Sequence, residues 1–211
     1  MATEVEARFR ATDPGALEEL AEVPRLGPAT LGPGRTFDEV DTYLDTGAGD
    51  LAAERWACRL RTRGQGHVVS LKGPREPVGD GTIHRRPELE GPATAAWDPA
   101  EWPPSEARDL VGRLRRGAPL EERLTLRQVR TERPVLVDGR RIATLSLDTV
   151  TVVHAGAEHG TFAVVEVELG GDGPEAEATL AEIAAALAAR PDLGAEHRSK
   201  LAHALELIGA T

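Results

Sequence analysis

The segment TEVEARFR, Thr3 to Arg10, decides how the rest of the chain is read. Glu4, Glu6 and Arg8 fall on one face of it, and Val5, Ala7 and Phe9 on the other. Alternation of period two marks a β-strand, so two carboxylates stand side by side on a charged face. One such strand is what any half-solvated sheet shows to water. Here the pattern recurs, and the signs are sorted. Arg59 and Arg61 alternate with Cys58 and Leu60, Ser70 and Lys72 with Val69 and Leu71, and Arg86, Glu88 and Glu90 follow suit. Later, Thr144, Ser146 and Asp148 share a face, as do Glu166 and Glu168 opposite Val165, Val167 and Leu169. Acids fill the first and last strands, and bases the middle ones.

Amphipathic helices need an apolar surface to cover, so the apolar strand faces point outward and the charged faces line an interior. A closed antiparallel barrel removes sheet edges and gathers the inward side chains about one axis. Only a lumen that holds solvent tolerates this much charge. The expected fold is α+β: a closed antiparallel β-barrel with a polar, charged lumen and helices packed outside.

Working outward, a helix follows the first strand, with Asp13 as N-cap and Pro14 at its first position. Residues 24–35, rich in Pro and Gly, read as a loop. Strands are expected at 40–46, 55–63, 67–73 and 83–90, then a helix over about 104–116. Further strands fall near 124–132, 134–137, 140–154 and 161–169, with Asp138-Gly139 as a hairpin turn. Helices at 174–189 and 196–208 close the chain. The stretch GDGPE at 171–175 is too short to separate domains, so residues 1–211 read as a single domain.

Forty per cent of the 211 residues are hydrophobic but only 3% aromatic, so the core is aliphatic. A net charge of −10 argues against nucleic acid or an anionic membrane as partner, since both require a basic face. A few focused arginines still suffice for a small anion. Cys58, the lone cysteine, excludes an intrachain disulfide and a Cys-rich zinc site. No apolar run reaches the length of a membrane span, and the start of the chain lacks the regions of a signal peptide; a cytoplasmic protein is expected. The six histidines show no metal-ligand spacing, and neither a P-loop nor a Rossmann glycine fingerprint is present.

Glu4, Glu6, Asp148, Glu166 and Glu168 converging in one lumen would repel one another unless a divalent cation sat among them. Oxygen ligands alone suit Mg²⁺ or Mn²⁺. The bases Arg59, Arg61, Lys72, Arg86, Arg130 and Arg133 suit a polyanion, because guanidinium pairs bidentately with phosphate oxygens. Acids with metal on one side and bases on the other form the layout of phosphoryl or nucleotidyl transfer, with two ions the natural number.

The motifs resemble, in order, those of the CYTH family, the triphosphate tunnel metalloenzymes, over nearly the whole chain. EVEARF resembles its E-x-E-x-K signature. YLDT (Tyr43 to Thr46), CRLR (Cys58 to Arg61), LKGP (Leu71 to Pro74) and RRPELE (Arg85 to Glu90) follow its successive strands. RTER (Arg130 to Arg133), LDTV (Leu147 to Val150), EVEL (Glu166 to Leu169) and HRSKLAHAL complete the match. The resemblance implies a tunnel of about eight antiparallel strands. It places metal on Glu4, Glu6, Asp148, Glu166 and Glu168 and a triphosphate on the middle bases and Lys200. Glu88 and Glu90 either touch metal or orient the arginines. Arg8 replaces the family lysine; guanidinium does not deprotonate, so Arg8 is a phosphate clamp, and water activation falls to metal, a glutamate or Tyr43. Pro87 deletes a ladder donor, implying a bulge or an edge.

The activity implied is metal-dependent triphosphate hydrolysis, with inorganic triphosphate as substrate and Glu4, Glu6, Tyr43 and Lys200 as the catalytic set. A class IV-type adenylate cyclase, a thiamine triphosphatase and a non-catalytic polyphosphate-binding module are the rivals. Members of the family often carry a following helical CHAD domain. The sequence leaves that point open, together with the oligomeric state.

Overall fold

The computed structural model describes residues 2–13, 15–78, 81–171 and 173–210. Eight strands close a ring: β1 (Ala2–Ala11), β4 (Arg35–Thr46), β5 (Ala57–Arg63), β6 (Gly66–Lys72), β8 (Ile83–Pro92), β9 (Leu120–Val137), β10 (Arg140–His154) and β11 (Ala157–Leu169). Around the barrel they run β1-β8-β6-β5-β4-β9-β10-β11 and back to β1, and every pairing is antiparallel. Short strands β2 (Arg25–Leu26), β3 (Ala29–Leu31), β7 (Glu76–Val78) and β12 (Leu193–Ala195) attach to its rim. The helices are α1 (Gly15–Glu22), α2 (Asp50–Ala53), α3 (Glu106–Leu114), α4 (Pro174–Ala188) and α5 (Lys200–Leu207). No helix among the described residues is long and apolar enough to cross a membrane.

Strand parity divides the interior from the outside. Val5, Ala7, Phe9, Leu145, Leu147, Val165 and Val167 face outward and pack beneath α1 and α4, against Leu20, Leu180, Ile183 and Leu187. Cys58, Leu60, Val69 and Leu71 do the same beneath α2 and α3, with Leu51, Val111 and Trp102. Both faces of β1 are therefore buried from Glu4 to Phe9. The lumen, however, is not charged throughout. On β9 the inward series runs Leu124, Leu126, Gln128, Arg130, and on β11 Phe162, Val164, Glu166, Glu168. The apolar members of both series join Val150 and Val152 of β10 in a separate core against Leu201, Ala204 and Leu205 of α5. One end of the barrel is thus filled by apolar side chains, and the charges occupy the other.

Several boundaries differ from expectation. The Pro/Gly stretch holds the β2–β3 hairpin, which adds to β9. The two strands expected at 124–137 are one, β9, with Pro134 inside it. A 3₁₀ turn at Pro99–Glu101 precedes α3. The last helix starts at Lys200, because Ser199 caps it by accepting from Ala202 N (3.0 Å), and residues 193–195 form a strand on β1. Asp13 Oδ1 does accept from Gly15 N (2.8 Å), while Pro14 lies outside the described residues. Asp138 and Gly139, at φ 49° and 76°, make the expected tight turn between β9 and β10. Pro87 costs no ladder bond. Its carbonyl accepts from Gly73 N (2.9 Å), so its nitrogen faces the same side, in the gap where β6 has ended and β7 has not begun.

Candidate active site

The charged end of the lumen encloses a cavity of about 280 Å³ lined by Glu4, Glu6, Arg8, Tyr43, Arg59, Arg61, Lys72, Arg86, Glu88, Glu90, Arg130, Glu166, Glu168 and Lys200, among others. Of those named, all but Lys200, which α5 supplies, come from the barrel strands, β1 and β8 giving three each, because strand alternation repeats on every wall.

Most of the carboxylates already have cations. Glu4 accepts from Lys72 Nζ (2.6 Å) and from Arg86. Burial alone would raise its pKa, but those two charges more than offset this and hold it well below the usual range. Glu6 accepts from Arg8 (2.8 Å) and Arg86 (3.4 Å). Glu166 accepts from Arg8 Nε (2.7 Å), Arg130 (3.2 Å) and Lys200 Nζ (2.9 Å). Asp148, fully buried, gives one oxygen to Arg130 Nε (2.6 Å) and the other to Lys200 Nζ (2.5 Å).

Glu168 is the contrast. It has no cation partner among the described residues, and its carboxylate meets those of Glu4 and Glu88 with oxygens within 4.8 Å of one another. Glu168 itself is exposed to solvent, yet the desolvation imposed by the neighbouring wall, and then the Glu4 charge, push its pKa up to about 7. Burial likewise raises Glu88, against the pull of Lys72 at 3.1 Å. Three oxygen donors around one point, with charge left over, are what a divalent cation relieves.

The basic wall is held from behind. Asp41 takes Arg61 through both oxygens (2.7 and 2.8 Å) and accepts from Gln128 Nε2 (2.7 Å). Arg59 donates to Ser70 Oγ (3.0 Å), and Ser70 donates in turn to Glu90 (2.8 Å).

A ring of eight antiparallel strands with this internal division of acids and bases sets the context for comparison, and the CYTH domain profile matches residues 2–204. The chain belongs to the CYTH family. Its fold is similar to that of a putative adenylyl cyclase, HpAC1, from Hippeastrum, whose structure is described as revealing a dominant triphosphatase activity. Identity there is 24% with a TM-score of 0.68, covering 99% of this chain and 97% of that one. A putative adenylate cyclase from Vibrio parahaemolyticus shares the fold at 18% identity, TM-score 0.54 and 98% of each chain. So does the mimivirus capping enzyme triphosphatase, at 10% identity, TM-score 0.50, and 87% and 88% of the two chains. No curated protein matches the sequence.

Within this CYTH barrel the sequence-derived residues separate into groups. Arg133 leaves the cavity. It stands three residues from Arg130 on one strand, hence on the opposite face, and donates to the carbonyls of Leu20, Val23 and Gly32 at 2.8–2.9 Å. Asp148 is not part of the three-carboxylate cluster, since both its oxygens are engaged by Arg130 and Lys200. Arg8 is less free than a clamp would be: its donors go to Glu166, Glu6 and Arg198 O (2.9 Å). Tyr43 lines the cavity, but burial raises its phenol, which keeps its proton. The structure splits the remaining pair, with Glu88 in the acidic cluster and Glu90 behind Ser70.

Four polar residues of this CYTH site went unread in the sequence. Asp41 and Glu39 share parity with Tyr43 on β4, so the alternation that exposed the other strands was also present there. Gln128 precedes Arg130 by two on β9. Arg75 had no such signal: it lies between β6 and β7, and reaches His197 O (2.8 Å) and the vicinity of Glu6 (4.0 Å).

Proposed function

We propose that this chain hydrolyses a linear triphosphate, inorganic triphosphate above all, using Mg²⁺ or Mn²⁺. The observation that carries the reading is the Glu4–Glu88–Glu168 cluster, in which Lys72 and Arg86 serve Glu4 and Lys72 serves Glu88 while Glu168 adds a third carboxylate, set beside an arginine-rich wall in one cavity. Those three glutamates would hold the first ion. A second would draw on Glu6 and Glu166, which must then release arginines to the substrate. A bound dication supplies Lewis acidity and a polarised water.

The protein's own groups do the rest. Arg59, Arg61, Lys72, Arg86 and Arg130 neutralise the non-bridging oxygens of the triphosphate and hold it straight. Lys200, pinned by Asp148 and Glu166, supplies a fixed positive charge at the inner end. Arg8 and Tyr43 keep their protons and act as donors only. Tyr43 is the single aromatic residue among the described residues lining the cavity, so no pair of rings is there to sandwich a base, which favours a triphosphatase over a cyclase. The dominant triphosphatase activity of the Hippeastrum protein and the mimivirus capping enzyme triphosphatase support the same choice. A cytoplasmic setting goes with this reading.

The test is a substrate panel of inorganic triphosphate, ATP and thiamine triphosphate with each metal, analysed for orthophosphate, pyrophosphate and cyclic AMP. Orthophosphate from inorganic triphosphate should dominate. Cyclic AMP formed from ATP at a higher rate would overturn the proposal.

A further inference from the structure

We infer that Asp41 is a positioning residue for substrate binding: it sets the aim of the Arg59–Arg61 pair without touching the triphosphate. The inference rests on the triphosphatase reading above. Asp41 is completely buried on β4, beside the strand that carries both arginines. Oδ1 accepts from Arg61 Nε at 2.7 Å, and Oδ2 from Arg61 at 2.8 Å and Gln128 Nε2 at 2.7 Å. Arg59 stands 3.5 Å from Oδ2.

This arrangement gives the two arginines different freedoms. One edge of Arg61 is clamped bidentately, so only its remaining donors can turn to the cavity. Arg59 leans on Asp41 and Glu90 only at long range, 3.5 and 3.8 Å, and on a neutral hydroxyl, Ser70, and its buried Nε has no hydrogen-bond partner among the described residues. Glu39 at 3.4 Å from Arg61 and Glu90 at 3.8 Å from Arg59 add charge from the flanks, but among the described carboxylates Asp41 alone lies within 3.5 Å of both guanidiniums and so ties the pair together. A buried carboxylate bonded on both oxygens also admits no water to loosen the pair. An asparagine here would present an NH₂ donor where Arg61 and Gln128 already donate, so the clamp cannot survive even this isosteric change.

The experiment is Asp41→Asn, read two ways. In the ligand-free protein the Arg61 Nε–H, observed by arginine side-chain NMR, should exchange at least about tenfold faster with solvent. In steady-state kinetics with Mg²⁺, KM for inorganic triphosphate should rise about tenfold while kcat changes less than about threefold, the size of one charge-assisted bond lost. Adding Arg61→Lys to Asp41→Asn should cost little more, because both act on one contact. Unchanged KM in the folded variant, or full additivity of the two changes, would overturn the inference. If Asp41→Asn does not fold, Gln128→Ala removes one brace and should raise KM two- to threefold; no change there overturns it equally. Wild-type protein inert toward triphosphate would instead strike the functional reading, leaving the Arg61 Nε–H exchange to decide the role of Asp41.

Discussion

Glu6 and Glu168 stand directly opposite each other on β1 and β11. Like charges so placed destabilise a sheet, and the two are treated differently: Arg8 and Arg86 neutralise Glu6, while Glu168 is left among Glu4 and Glu88. Stability is thus surrendered at the point where the proposed ion would bind.

Glu168→Gln should therefore abolish nearly all metal-dependent activity yet raise the melting temperature of the metal-free protein. The sign follows from the raised pKa of about 7. Between the unfolded value near 4.5 and pH 7 the native state holds a proton that the unfolded state has lost, so stability falls as pH rises through that window. Metal-free wild type should melt lower at pH 8 than at pH 5.5, and the variant should lose much of that difference. A variant less stable than wild type at pH 8 without metal would contradict this.

Arg59 and Arg133 should behave oppositely. Arg59→Ala removes a cavity cation and should raise KM for inorganic triphosphate about tenfold or more, a charge-assisted contact being worth roughly 1.5–3 kcal/mol. Arg133→Ala should leave KM alone but lower the melting temperature, because the carbonyls at the end of α1 and just after β3 lose their donor. Kinetics and thermal melts on the two variants decide the matter.

Arg8→Lys tests whether the departure from the family signature is a clamp or a brace. Three protein acceptors share the guanidinium, and an ammonium on a shorter arm cannot reach all of them. Both turnover and melting temperature should fall. A faster enzyme with a new alkaline limb in its pH–rate profile would show instead that the lysine chemistry is wanted there.

Glu196 offers an acid-stability test away from the metal. Burial opposes its ionisation, but bonds from the Arg198 backbone and side chain at 3.0 Å bring its pKa down to about 2. That stabilisation is complete above about pH 4.5 and is lost as pH falls toward 2. Glu196→Gln should flatten this part of the stability curve, measured by urea midpoints at stepped pH.

The sequence by itself determined the barrel, its inward charged face and most of the cavity lining. It could do so because strand alternation is local: a residue's face follows from its parity, and sorted charge on one parity has few structural explanations. The same rule separates Arg130 from Arg133 and places Asp41 on the inward face with Tyr43. Tertiary structure alone decided which acid meets which base. That Asp148 is sealed by Arg130 and Lys200 while Glu168 has no such partner among the described residues depends on how far each strand is sheared against its neighbours. Shear also decides where along the axis the inward side chains change from aliphatic to charged, and so which end α5 fills. Arg75 belongs with these, since a side chain outside the strands obeys no parity, and its approach to Glu6 follows only from where the β6–β7 link crosses the barrel.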